Sequence, residues 1–116
     1  MDFSFSVHNY TWTQHSRIKM SYYGLSESRV KRVLRNPSRK EEGIAPKTFA
    51  CMQPASTKTK DGKKMWSQEL WVMAQQTKKG DTKIISAWRY PGMSKIRAPL
   101  PAEVQMEIEE GLHNNF

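Results

Sequence analysis

The chain has 116 residues, which fits one domain with a single modest core. Its one cysteine, Cys51, excludes an intrachain disulfide framework, and three histidines without cysteine partners argue against a zinc site, so we expect no metal and no cofactor. The N-terminus lacks a signal-peptide pattern, and the longest apolar block, residues 70–74, is too short to cross a bilayer. We therefore expect a cytoplasmic protein without a membrane partner.

Charge divides the chain unevenly. Residues 1–97 contain all 19 Lys and Arg with seven acidic residues, a formal charge of +12, whereas residues 98–116 contain four glutamates and no Lys or Arg. We predict a basic α+β domain over 1–97 and an acidic helix and tail over 98–116 that pack on the same domain. A basic body of this kind attracts polyanions, of which nucleic acid is the commonest in a cell. The alternative is that the lysines only solvate turns.

Two helices are predicted near the N-terminus. Thr13 is a suitable N-cap for a helix over 13–23 that Gly24 closes. Ser26 caps a second helix over 27–35, which must end before Pro37. Apolar residues take one side of this second helix and cations the other, namely Val30, Val33 and Leu34 against Arg29, Lys31, Arg32 and Arg35.

The polar stretch 36–46 is predicted to be a loop, and β-rich sequence follows it. Strands are predicted at 47–55, 65–76 and 82–90, with turns at Asp61-Gly62 and at 78–81. Alternating apolar residues at 3–7 indicate a fourth, edge strand, and residues 101–112 indicate a last helix. The predicted fold class is α+β, in which two N-terminal helices pack on a three- to four-stranded antiparallel sheet, with a C-terminal helix in addition.

The order of these elements resembles a bacterial family of unknown function. The resemblance covers about residues 8–90 and rests on His15-Ser16-Arg17-Ile18-Lys19-Met20, on Gly24-Leu25-Ser26, on the helix ending at Asn36-Pro37, and on the strand Ile84-Ile85-Ser86-Ala87-Trp88-Arg89. That family is related to the BrnT and RelE toxins, within a larger group of metal-independent ribonucleases that includes barnase. The resemblance implies a RelE/BrnT-like domain that acts on RNA.

Metal-independent RNA cleavage needs proton-transfer groups and cations that face the phosphate. His15 and Lys19 are four residues apart on one helix and project from the same side. We predict that His15 transfers protons, that Lys19 and Arg89 bind phosphate, and that Tyr90 is a second donor. The alternatives are that His15 is a core residue and that Arg89 pairs with Glu41, Glu42 or Glu69.

Nucleic-acid contacts are predicted on the second helix and at tryptophans. Arg29, Arg32 and Arg35 form a cationic footprint, and among the four tryptophans Trp71 and Trp88 are candidates for stacking on bases. The alternative is that at least two tryptophans belong to the core.

The leading functional hypothesis is an RNA-binding domain that acts as the endoribonuclease toxin of a toxin–antitoxin pair, with an acidic antitoxin as its protein partner. The alternative is a non-catalytic nucleic-acid-binding or protein-interaction module, because fold does not settle function and the residues provide no self-sufficient catalytic signature. Glutamates in 98–116 suggest, in addition, that this segment shields the basic surface in cis.

Overall fold

The computed structural model describes residues 9–43 and 45–94. Within them the chain forms two helices and seven strands, and no helix there is long and apolar enough to cross a membrane. In chain order the elements are β1 Tyr10–Trp12, α1 Gln14–Tyr23, α2 Glu27–Arg35, β2 Arg39–Glu42, β3 Thr48–Pro54, β4 Lys58–Lys60, β5 Lys63–Met65, β6 Gln68–Gln76 and β7 Thr82–Pro91.

Both helices begin and end where the sequence indicates. The side chain of Thr13 accepts a hydrogen bond from the Ser16 amide at 3.0 Å, which satisfies a free N–H at the start of α1. Gly24 closes α1 with φ 67, a left-handed conformation that glycine adopts without strain. The Ser26 side chain caps α2 in the same way by accepting from the Arg29 amide at 3.1 Å. The predictions of helices over 13–23 and 27–35 are confirmed.

The main sheet has five strands in the order β1-β7-β6-β3-β2. The pairs β7–β6, β6–β3 and β3–β2 are antiparallel, whereas β1 runs parallel to β7. β4 and β5 form a separate two-stranded hairpin between β3 and β6. The hairpin turns at Asp61 and Gly62, whose φ angles of 51° and 77° suit the tight turn that an Asp-Gly pair favours.

The predicted fold class is wrong. The main sheet is mixed and has five strands, instead of three or four antiparallel ones, and the described residues contain only two helices. β2 lies inside the stretch 36–46 that was predicted to be a loop, because an edge strand needs only backbone pairing with one neighbour and tolerates charged side chains. β1 pairs with a strand about 70 residues away, for which no local turn exists as a signal. The predicted strand at 3–7, helix at 101–112 and segment 98–116 lie outside the described residues.

Side chains are buried on both faces of the central strands. One face, here called the helix face, packs against α1 and α2 through Met20, Leu25, Val30 and Val33. Its sheet residues are Cys51, Leu70, Val72, Ala74, Ile84 and Ala87. The opposite face, here called the second face, consists of Ala50, Met52, Trp71, Met73, Ile85 and Trp88.

A β-bulge in β7 decides which of its residues reach each face. Met73 pairs with Ser86 and Ala74 with Ile84, so Ile85 is an extra residue without a partner on β6. The start of α1 is tied to the same point, because Thr13 donates its amide to the Ile84 carbonyl at 3.2 Å and its hydroxyl to the Ile85 carbonyl at 3.2 Å.

We expect Thr13→Ala to lower the free energy of unfolding by about 2 kcal/mol, because it removes both the helix cap and a buried hydrogen bond to the bulge. Thr13→Ser keeps the hydroxyl and is the matched control, for which we expect less than half of that loss. Urea unfolding followed by circular dichroism measures both variants. Equal losses in the two variants would show that the methyl group, and not the hydrogen bonds, matters at this position.

Candidate nucleic-acid interface

Arg89 lies on the helix face, at the end of the sheet where β3 ends and β6 begins. The strand register gives this position, because Gln53 pairs with Leu70 and Leu70 pairs with Arg89 across three neighbouring strands. The Arg89 Nε donates to the Tyr23 carbonyl at 2.7 Å, at the C-terminal end of α1, and Nη1 donates to the Gln68 side chain at 3.3 Å. These bonds hold the guanidinium in place, and its Nη2 group makes no hydrogen bond to the described residues.

Arg29 on α2 reaches the same end of the sheet. Its Nη2 donates to the carbonyls of Pro54 and Ala55, each at 3.3 Å, where the chain leaves β3. Both bonds use one nitrogen, so Nε and Nη1 of Arg29 make no hydrogen bond to the described residues. Arg32 follows one turn later on α2 and is exposed. We call Arg29, Arg32 and Arg89 the arginine cluster.

The arginine cluster brings three positive charges close together. Burial lowers the pKa of Arg29 below its ordinary value, and the charges of Arg32 and Arg89 lower it further, although a guanidinium stays protonated at physiological pH. None of the carboxylates in the described part of the chain pairs with a member of the cluster. Mutual repulsion of this kind is relieved when an anion binds between the cations.

The β4–β5 hairpin extends this positive surface. It leaves the sheet directly after Ala55, whose amide donates to the Gln68 carbonyl at 2.9 Å. Every residue of β4 and β5 is exposed, and the hairpin contains one acid, Asp61, against four lysines, namely Lys58, Lys60, Lys63 and Lys64. An open cavity of about 270 Å³ at the base of the hairpin is lined by Lys58, Met65 and Trp66.

The four predicted catalytic residues do not share one location. His15 is in the first turn of α1 with its Nε2 atom buried, whereas Arg89 contacts Tyr23 at the other end of that helix, about 12 Å further along the axis. Lys19 is half-buried, with Nζ 5.6 Å from the centre of the Tyr22 ring. Tyr90 follows Arg89 on β7 and packs on the second face, so the two side chains project to opposite sides.

The predicted nucleic-acid-binding residues have mixed placements. Arg29 and Arg32 belong to the arginine cluster, and Arg35 is exposed at the end of α2. Trp71 and Trp88 are only 5% and 3% exposed and stack on each other, with ring centroids 5.9 Å apart and an interplanar angle of 4°. Because their faces are covered, they are not available to bases. Trp66, which lines the open cavity, is the more accessible indole.

Glu69 is a buried carboxylate that is not among the predicted site residues. It lies on the second face, away from Arg89, and is 0% exposed. Trp66 donates its indole N–H to Glu69 Oε2 and Trp71 donates to Oε1, each at 2.9 Å. The Ser94 amide donates to Oε2 at 3.1 Å and the Ser94 hydroxyl to Oε1 at 2.6 Å. The two-residue spacing of Glu69 and Trp71 was the available signal, since it puts both on one face of a strand.

Arg39 is linked to Glu69 through Ser94. Arg39 on β2 donates from Nη1 to the Ser94 hydroxyl at 2.7 Å and to its carbonyl at 3.1 Å, and its guanidinium lies 5.2 Å from the centre of the Trp71 ring. Arg39 also pairs with Glu41. Burial by itself raises the pKa of Glu69, but the hydrogen bonds from Ser94, Trp66 and Trp71 outweigh it and hold that pKa below its ordinary value.

Comparisons of the chain with protein-family models, with curated proteins and with solved structures give no match. The resemblance to the relatives of BrnT and RelE therefore stays a prediction.

We expect Glu69→Gln to destabilise the fold by about 2 to 3 kcal/mol at neutral pH, because the amide group of glutamine faces donors that need a carboxylate oxygen. A carboxyl group whose pKa is lowered by folding stabilises the protein above its unfolded-state pKa, near 4.3, and loses that contribution as pH falls through the folded-state value. The difference between wild type and variant should therefore shrink in acid. Urea unfolding at a series of pH values, followed by tryptophan fluorescence, measures it. A difference that is constant with pH would assign the loss to packing.

Proposed function

We propose that this domain binds single-stranded RNA without cleaving it, with the arginine cluster as its main phosphate contact. The observation that carries the proposal is the grouping of Arg29, Arg32 and Arg89 without a carboxylate partner in the described part of the chain. Guanidinium groups bind phosphate oxygens in bidentate geometry, and the N–H groups left available on Arg29 and Arg89 suit this contact.

The surroundings of the arginine cluster favour a flexible strand as the ligand. The lysine hairpin provides further cations at the same end of the sheet, and Trp66, which is half-buried against the second face, lines a cavity at its base together with Lys58. Cations next to an accessible aromatic ring suit single strands, in which phosphates follow a basic track and bases stack on the ring. The choice of RNA over DNA rests on the resemblance to the relatives of BrnT and RelE, and an acidic antitoxin would compete for the same arginines.

Binding is proposed in preference to cleavage because the groups predicted for proton transfer are dispersed. The Nε2 atom of His15 is buried, and His15 and Tyr90 are each separated from Arg89, by the length of α1 and by the sheet respectively. General acid and base groups have to lie within hydrogen-bonding reach of the reacting phosphodiester. Endoribonuclease activity stays a prediction of the resemblance.

We expect the triple variant Arg29→Ala, Arg32→Ala, Arg89→Ala to bind a short single-stranded RNA more weakly, to a similar extent for all sequences. The slope of log affinity against log salt should become shallower by about 2, because up to three phosphate contacts are lost. Fluorescence anisotropy at several salt concentrations measures both quantities.

Lys79→Ala is the control, since Lys79 is an exposed cation in the turn at the opposite end of the sheet. Arg32→Glu alone is a variant that should fold even if the triple variant does not, because Arg32 is exposed. A slope that is unchanged in the folded triple variant, or equal to the Lys79→Ala slope, would refute the arginine cluster as the binding site.

We expect long RNA to stay intact when it is incubated with the protein without metal ions. Ends carrying a 2′,3′-cyclic phosphate, detected after gel separation, would contradict binding without cleavage. In that case His15→Ala decides between the two alternatives for His15, because loss of a proton-transfer group lowers the rate by about 10²-fold to 10⁴-fold in a folded protein.

A further inference from the structure

An open cavity of about 420 Å³ lies at the end of the sheet opposite to the arginine cluster. Here β3 begins, β6 ends and β7 begins. Three lysines from different segments line it, namely Lys47, Lys78 and Lys83, together with Gln75 and Gln76. Its volume is within the range of about 300 to 1,000 Å³ that is typical of small-molecule sites.

Backbone and side-chain hydrogen bonds fix the walls of this cavity. The Gln76 amide donates to the Lys47 carbonyl at 3.0 Å, and the Gln75 side chain donates to the Pro46 carbonyl at 3.3 Å, so the segment before β3 is tied to the end of β6. The Gln76 side chain donates to the Gly80 carbonyl at 3.1 Å. Both carboxamides thus direct an N–H into the protein and retain their oxygens as acceptors. Because these hydrogen bonds already hold the lining segments in place, little conformational entropy is lost when a ligand binds.

Lys83 is the unusual member of the lining. It is 6% exposed, on a strand that has neighbours on both sides at this position. Burial lowers the pKa of Lys83 below its ordinary value. An anion in the cavity would interact with this ammonium at reduced dielectric, where a charge-assisted hydrogen bond is strong.

We propose that this cavity is a second binding site, for a phosphomonoester group carried by a molecule of about mononucleotide size. The ammonium groups of Lys47, Lys78 and Lys83 contact the phosphate, and the carboxamide oxygen of Gln75 accepts a hydrogen bond from the organic part of the ligand. The site is independent of the proposed RNA contact, because the two lie at opposite ends of the sheet.

The experiment compares three probes on the full chain by isothermal titration calorimetry: adenosine 5′-monophosphate, inorganic phosphate and adenosine. We expect the nucleotide to bind, phosphate to bind more weakly and adenosine to give no heat. Adenosine that binds as tightly as the nucleotide, or a nucleotide that does not bind, would overturn the proposal.

Two neighbouring lysines provide a matched pair of variants. Lys78 lines the cavity and Lys79, in the same turn, does not. We expect Lys78→Ala to weaken nucleotide binding by about tenfold, which is the loss of one charge-assisted hydrogen bond, and Lys79→Ala to leave it unchanged. Equal effects of the two substitutions would show non-specific attraction by the basic surface and would refute the site.

Lys83→Met tests the buried amine while it keeps the apolar stem, and we expect a loss of at least tenfold. Lys47→Ala, at an exposed position, gives the same information if Lys83→Met does not fold. Retention of full affinity in the folded variants would overturn the proposal. Arg32→Ala should bind the nucleotide normally, so that a failure of the RNA-binding proposal leaves this result unaffected.

A competition experiment decides whether the phosphomonoester belongs to the end of an RNA strand or to a free small molecule. An RNA oligonucleotide with a 5′-phosphate displaces the bound nucleotide if the cavity takes the end of a strand, and the same oligonucleotide with a 5′-hydroxyl does not. If neither oligonucleotide displaces it, the cavity takes a free small molecule. Displacement by both, to the same extent, would contradict recognition of a phosphomonoester.

Discussion

The pairing of β6 with β7, interrupted by the bulge at Ile85, is the constraint on which the rest of the structure depends. Ile84, before the bulge, faces the helices. Ala87 and Arg89, after the bulge, face the helices too, because the extra residue shifts the alternation of side chains between the two faces by one position. Without the bulge, the side of the sheet that holds Ile84 would receive Trp88 instead of Arg89. The hydrogen bonds from Thr13 fix α1 at this point, so the bulge positions both the helix and the arginine that contacts its last carbonyl.

The two faces of the sheet differ in how their charged side chains are surrounded. On the helix face the arginine cluster brings like charges together without a carboxylate in the described part of the chain, which costs stability and favours anion binding. On the second face the Glu69 carboxylate is surrounded by four donated hydrogen bonds and is satisfied without a ligand. In our proposals the arginine cluster therefore binds a ligand, whereas the hydrogen bonds of Glu69 have a structural role.

The two ends of the sheet also differ in the ligands that they suit. The end with the arginine cluster and the hairpin is an open surface, where exposed cations follow one another over several segments. That arrangement suits a chain of phosphates. The other end has a concave cavity with a buried ammonium, which suits one compact anion. The excess of positive charge therefore serves two kinds of ligand in our proposals, and mutations at one end are expected to leave the other unaffected.

The sequence by itself determined the elements that depend on neighbouring residues. Thr13, Gly24 and Ser26 fix both helices through local capping, and Asp61-Gly62 fixes the hairpin turn. Only the tertiary structure decided what depends on pairing at long range: the parallel partner of β1, the charged edge strand β2, and the bulge that puts Arg89 beside Arg29 and Tyr90 on the far face. It also decided that Trp71 and Trp88 are buried, and that the charged residues Glu69 and Lys83 are buried as well. The physical reason is that strand register and bulges are set by backbone hydrogen bonds and by burial on two faces, which no residue encodes alone.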